Sequence, residues 1–233
     1  MIAVAGGKGG SGKTTTTLGL ARALSRRGAP VVAADADWDL PNLARLAAET
    51  DSDVGRAARR GAEADGSGAR TVLDAVRGTA QIAVDRATPT VLAAPDDPRS
   101  VDAGATFDAL AGAAPDGAPV LLDSPAGASP DVAAPLRAAD GALIATPLRR
   151  AALRDGAKTA AIARRLDCPP IGVVVIGETS VPDRVGTLLD CPVLGTVPDG
   201  GAAPLADPSV RSAYDDLARR LGETAAGTGW QVA

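Results

Sequence analysis

The 233-residue chain is 45 % hydrophobic and 22 % charged, with no run of 18 apolar residues, which gives one soluble globular domain with a sizeable core and excludes a membrane-spanning helix. It contains no histidine, so His-based acid/base catalysis, Ser-His-Asp triads and His-containing zinc sites are out of reach and proton chemistry falls to carboxylates, lysine or water. The net charge of −4 gives no global pull toward nucleic acid or anionic membrane.

Met1 is followed at once by the apolar run Ile2–Ala5, without the charged segment and cleavage site of a leader, so a cytoplasmic protein is expected. Similar short apolar runs recur at Val31–Ala34, Val91–Ala94, Val120–Leu122, Ala142–Ala145, Ile171–Ile176 and Val193–Val197. Each is too continuous for a half-exposed strand and reads as a buried parallel one. Between them, Lys13–Arg27, Val101–Ala111, Ala151–Leu166 and Pro204–Leu221 carry apolar residues every three or four positions and read as helices. The alternation predicts an α/β fold: a single domain over residues 1–233 with a doubly wound, mostly parallel sheet and helices on both faces. Residues 50–69 show no clean period and read as an irregular insertion.

Only three of the basic residues are lysines, at positions 8, 13 and 158, and two of them fall in one short string. Residues Gly7-Lys8-Gly9-Gly10-Ser11-Gly12-Lys13-Thr14 satisfy G-x-x-x-x-G-K-[ST] between a strand and a helix. Polyphosphate needs donors at close range, and glycines let backbone N–H groups turn inward, so the string reads as an anion nest feeding a helix N-terminus. Lys13 then reaches the β- and γ-phosphates, and the Thr14 hydroxyl is a Mg²⁺ ligand. After the second strand comes Asp35-Ala36-Asp37-Trp38-Asp39-Leu40-Pro41-Asn42-Leu43, at the strand end where open α/β sheets place ligands. Asp35 and Asp37 face phosphate and metal in this reading, and the structural alternative has them capping the turn or helix that follows. Val120-Leu121-Leu122-Asp123 is an apolar strand ending in an acid, the arrangement that offers Asp123 to Mg²⁺ through water.

The string from Lys8 to Thr15 resembles the deviant phosphate loop of the MinD/ParA family of dimerising ATPases, whose mark is the extra lysine at Lys8. Asp35-x-Asp37-x-x-x-x-Asn42-Leu43 is similar to that family's first switch, and Asp123-Ser124-Pro125-Ala126-Gly127 closely resembles the Asp-Ser-Pro-Ala-Gly string of its MinD members. The resemblance implies a P-loop NTPase fold, ATP and Mg²⁺, and catalytic roles for Lys8, Lys13 and Asp37, with Lys8 crossing a face-to-face dimer and Asp37 holding the attacking water. It also implies nucleotide contacts from residues 7–15, including Thr15, and from Gly127, Pro198 and Asp199, with Thr14, Asp35 and Asp123 around the metal. Ile176-Gly177 stands where many relatives place an adenine-reading Asn. Pro147–Asp155 resembles a segment on the dimer side, or else its arginines form a solvated face. An ATP-dependent homodimer, slow turnover and an activating protein partner follow from the resemblance, in division-site placement, DNA partition or positioning of a cellular assembly.

Residues 227–233 carry one aromatic and no cation, too little for a membrane-binding helix. DNA binding would need a surface built from Arg164, Arg165, Arg211, Arg219 and Arg220. The alternatives are a nucleotide-binding scaffold with negligible hydrolysis and an iron–sulfur carrier ATPase; Cys168 and Cys191, with no Cys-x-x-Cys, speak against the latter.

Overall fold

The structure, a computed structural model, describes residues 1–7, 10–50, 70–79, 82, 85–127 and 130–225. The seven strands are β1 (Ile2–Ala5), β2 (Val32–Asp35), β3 (Thr90–Leu92), β4 (Val120–Asp123), β5 (Gly141–Pro147), β6 (Pro170–Ile176) and β7 (Val193–Val197). They form one sheet in the order β3-β2-β4-β1-β5-β6-β7. Every pairing is parallel, so the sheet is wholly parallel where the sequence predicted mostly parallel. The helices among the described residues are α1 (Lys13–Arg26), α2 (Leu43–Thr50), α3 (Val72–Arg77), α4 (Ala103–Ala113), α5 (Pro130–Ala138), α6 (Arg150–Arg165), α7 (Arg184–Leu189) and α8 (Pro208–Ala225).

Helices cover both faces, because each buried strand sends alternate side chains into two separate cores. Ala3, Val32, Leu122, Ile144 and Val173 join Phe107 of α4, Leu136 of α5 and Ala160 of α6 in one core. Ile2, Ala33, Leu121, Leu143 and Val174 join Leu20 of α1 and Tyr214 and Leu217 of α8 in the other. The expected helix over Pro204–Leu221 divides in two, a 3-10 turn at Pro204–Ala206 and α8 from Pro208. Pro208 has no N–H to give, and Asp207 Oδ1 accepts from the Ser209 and Val210 amides at 2.7 and 3.3 Å, which starts a new helix there.

The chain leaves β1 for β2 on one side, and β5 lies on the other, so the order of the sheet reverses at β1. A crevice therefore opens beyond the carboxyl ends of β1, β4 and β5, the position where open α/β sheets bind ligands. The 50–69 insertion falls outside the described residues, apart from Thr50, which closes α2.

Candidate functional site

The loop between β1 and α1 fills this crevice. Gly10 and Gly12 lie at φ +81° and +85°, the left-handed region a side chain resists. A Cβ at Gly12 would also stand 3.1 Å from Ile176 at the end of β6, and one at Gly7 would stand 2.6 Å from Cβ of Asp155 in α6. The loop is thus pressed between two elements while it curls inward. Helix α1 begins with no side-chain cap and no acid in its first turn. Its first free amide to find an intrahelical acceptor is that of Thr16, which donates to Gly12 O at 2.8 Å. The amides before it point at the crevice with the positive end of the helix behind them. Ser11 is buried, and its hydroxyl has no partner among the described residues. Lys8 and Gly9 fall outside the described residues.

Lys13 is 8 % exposed. Burial lowers its ammonium below the ordinary value, against the pull of the Asp123 and Asp37 carboxylates, which raise it. A cation with so little water around it is suited to a dense anion. Thr14 and Thr15, half-buried, follow it in the first turn.

Two acids sit side by side on neighbouring strands: Asp35 of β2 is in register with Asp123 of β4. Burial raises both, Asp35 to about 6 and Asp123 to about 7. Backbone amides of Leu43, Asp37 and Asn42 hold Asp35 down, whereas Asp123 is held down by the Thr14 hydroxyl, Lys13 and the Thr17 hydroxyl, and Asp35 pushes it up. Asp35 Oδ2 accepts from the Asn42 and Leu43 amides at 3.0 Å each, and Oδ1 accepts from the Asp37 amide at 3.1 Å. Asp35 therefore caps α2 across the loop, as the structural alternative expected. A carboxylate has about four acceptor positions, so Oδ1 keeps one lone pair through which Asp35 could touch a hydrated cation. Asp37 is half-buried, raised by burial and lowered by the Leu40 amide and Lys13. Its Oδ1 accepts from that amide at 3.2 Å, and its Oδ2 accepts nothing among the described residues.

Lys13, Asp35, Asp37, Asp123 and Thr14 are thus brought together. Gly127 lies at φ +96° just beyond the Asp123 loop. Pro198 and Asp199 follow β7, beside the β6 loop, whose Gly177 and Glu178 amides both donate to Val197 O at 2.8 and 3.2 Å. Ile176, at the end of β6, is in turn the residue that a Cβ at Gly12 would meet. Two contributors were missed from the sequence. Thr17 donates to Asp123 Oδ1 at 3.3 Å, and the spacing of Thr14 and Thr17 on one helix face was the available signal. Thr159, buried in α6, donates to Gly6 O at 3.4 Å under the loop.

The donor set suits a Mg²⁺ ion carried in with phosphate. Among the described residues no group of three or more acids, cysteines or histidines could hold a metal without other ligands; Thr14 and Asp123, with water and phosphate oxygens, would complete the octahedron that Mg²⁺ prefers. The thiols suit a metal poorly. Cys168 is fully buried and its thiol is pushed up to about 12 by burial, and burial also raises Cys191, whereas a ligating cysteine must be a thiolate. Of the arginines considered for DNA, Arg164 is tied to Asp190 and the Leu189 carbonyl, Arg219 to Asp216 and Glu223, and Arg220 to the Leu194 carbonyl.

A family profile, that of the CobQ/CobB/MinD/ParA nucleotide binding domain, matches residues 2–199. An uncharacterised ATP-binding protein of Methanocaldococcus jannaschii is 27 % identical over 229 residues, covering 91 % of this chain and 76 % of that protein. The cell division ATPase MinD of Pyrococcus furiosus superposes with a TM-score of 0.74 at 23 % identity, over 95 % of this chain and 98 % of that one. The septum site-determining protein MinD of Pyrococcus horikoshii, solved with Mg-ADP, superposes with a TM-score of 0.76 at 21 % identity, over 96 % of each chain. These two structures share the fold.

Proposed function

The chain belongs to the CobQ/CobB/MinD/ParA nucleotide-binding family, and on that premise we propose that it is a Mg²⁺-dependent ATPase that works as a dimeric switch. One observation carries the proposal: Lys13, nearly stripped of water, stands between Asp123 and Asp37 beneath an uncapped helix end. Each partner of that cation has a different task. Lys13 and the loop amides neutralise ground-state phosphate. Thr14 and Asp123 take Mg²⁺, which spreads the negative charge of the transferring phosphoryl group when bound. Asp37 has an unengaged Oδ2 within the electrostatic reach of Lys13 and orients water for in-line attack, a task that needs position more than basicity. Lys8, entering from a second copy, completes the charge around the phosphates.

The binding of ATP by the Methanocaldococcus relative and the Mg-ADP in the Pyrococcus horikoshii protein support the choice of nucleotide. We assign turnover a slow intrinsic rate, raised by a protein partner, since a switch must hold its dimeric state long enough to be read. No helix among the described residues is long and apolar enough to cross a membrane. Arg164, Arg219 and Arg220 are engaged within the molecule, which supports a protein partner over a DNA surface built on all five arginines.

Phosphate release and light scattering on three proteins test the reading. Wild type hydrolyses Mg-ATP and becomes a dimer with a non-hydrolysable analogue; Lys13→Ala binds no nucleotide; Asp37→Ala binds and dimerises without turnover. A wild-type chain that stays monomeric under saturating analogue, or normal turnover by Asp37→Ala, would overturn it.

A further inference from the structure

Asp37 lies at the edge of a loop whose tip is open: Asp39 is exposed and Leu40 is 74 % exposed. On the upstream side the Asp37 amide is pinned to the Asp35 carboxylate. On the downstream side its neighbour Trp38 is held at both ends. The indole Nε1 donates to Asp35 O at 2.9 Å, and the ring meets Phe107 of α4 with centroids 5.0 Å apart and planes tilted by 47°. Phe107 is fully buried and is the chain's only phenylalanine. Its helix packs against α5, the helix that follows the Asp123–Gly127 loop.

The geometry points to Trp38 as a positioning residue for hydrolysis, an aromatic latch that holds Asp37 in place by clamping the loop to Phe107. The inference rests on the ATPase reading and extends it to a residue outside the phosphate-binding motifs. A partly buried indole in a chain with only 2 % aromatic residues, packed at the rim of the Phe107 core and closing a hydrogen bond three residues back, ties the loop backbone to that core. With the latch open, the Asn42 and Leu43 amides still anchor the far end of the loop on Asp35. Asp37 would then keep its amide on Asp35 but lose its downstream support, and the carboxylate would meet the attacking water less often. Positioning of this kind acts on the chemical step and leaves ground-state phosphate contacts alone.

The test uses Trp38→Leu, Trp38→Phe and Phe107→Leu in the full chain, with steady-state turnover, ADP affinity and thermal unfolding measured on each. Trp38→Leu is expected to lower kcat at least tenfold with KM for Mg-ATP and ADP affinity within about twofold of wild type. Trp38→Phe keeps a ring against Phe107 and should recover at least a third of the lost rate. The double variant Trp38→Leu/Phe107→Leu should turn over no more slowly than Trp38→Leu alone, because both changes open one latch. A second readout needs no turnover: with Trp230→Phe leaving Trp38 as the sole tryptophan, its emission should shift when Phe107→Leu is added, because the indole loses the ring it rests on.

Kcat within twofold of wild type in Trp38→Leu, or a loss matched by an equal rise in KM, overturns the latch. Multiplying losses in the double variant do the same. If wild type itself fails to hydrolyse ATP, the ATPase reading falls first, and the emission change alone decides whether the loop is latched.

Discussion

Asp35 and Asp123 occupy matched positions on adjacent strands, both nearly without solvent, yet they are built for opposite purposes. Asp35 spends its oxygens on three backbone amides and so joins the end of β2 to the start of α2. Asp123 has only hydroxyls, at Thr14 and Thr17, and a lysine that is itself short of water. Burial raises Asp123 further, the Asp35 carboxylate adds to the rise, and among the described residues no backbone amide offsets them. One acid organises the chain; the other, in the proposed function, is kept for a cation, which costs the nucleotide-free fold some stability.

The largest effect that separates them is on turnover. Asp123→Asn should lower Mg²⁺-dependent hydrolysis by roughly 10²-fold or more, while the nucleotide-free protein melts at the same or a higher temperature, since a desolvated charge is gone. A lower melting temperature would show that Asp123 is structural after all. Asp35→Ala should do the reverse, destabilising by about 2 kcal/mol because it leaves the Asn42 and Leu43 amides unpaired and α2 uncapped. Urea unfolding measures this, and a change under ~0.5 kcal/mol would remove the organising role.

A smaller effect comes from pH. Both folded-state values lie above the model-carboxylate range, so between about pH 4 and 7 the folded chain binds more protons than the unfolded one and stability falls as pH rises. The nucleotide-free protein should therefore melt higher at pH 5 than at pH 7.5, by roughly 2–4 °C for each kcal/mol, and the slope should shrink in Asp123→Asn. A melting temperature that rises with pH over that window would contradict the burial that raises the two acids. The smallest change is Thr17→Val, which removes one hydroxyl from Asp123 and should cost about 1 kcal/mol or less, with a measurable weakening of Mg²⁺ affinity in the presence of ADP.

The places of the two acids were legible in the sequence, and a cap was one of the two readings it left open for Asp35; the choice between those readings was not. Parallel strands buried on both faces read as unbroken apolar runs, which is why all seven could be placed and why acids at the ends of β2 and β4 marked the crevice. What Asp35 does depends on Asn42 and Leu43 folding back onto it, a contact between residues without a periodic signal. Short helices escaped for related reasons. Helix α2 takes its cap from eight residues upstream, α5 carries Pro135 in its interior, and α7 spans only six residues with no side-chain cap. Helix α3 did carry a legible Thr71–Asp74 capping box, but six residues are too few for a period to show. The phosphate loop, by contrast, depends on local glycine conformation and one lysine, and its reading needed no distant partner.

The central place of β1 also sets a timetable for the newborn chain. Ile2 pairs with Leu121 on one side and Gly141 on the other, so both neighbours are made roughly 120 to 140 residues later, on the order of ten seconds at ribosomal speeds of about 5–20 residues per second. Throughout that interval an apolar strand with two open edges has nothing to pair with, and it is at its most adhesive. The phosphate loop leaves from the end of that strand, so the part of the site written earliest in the chain sits on the strand completed among the last.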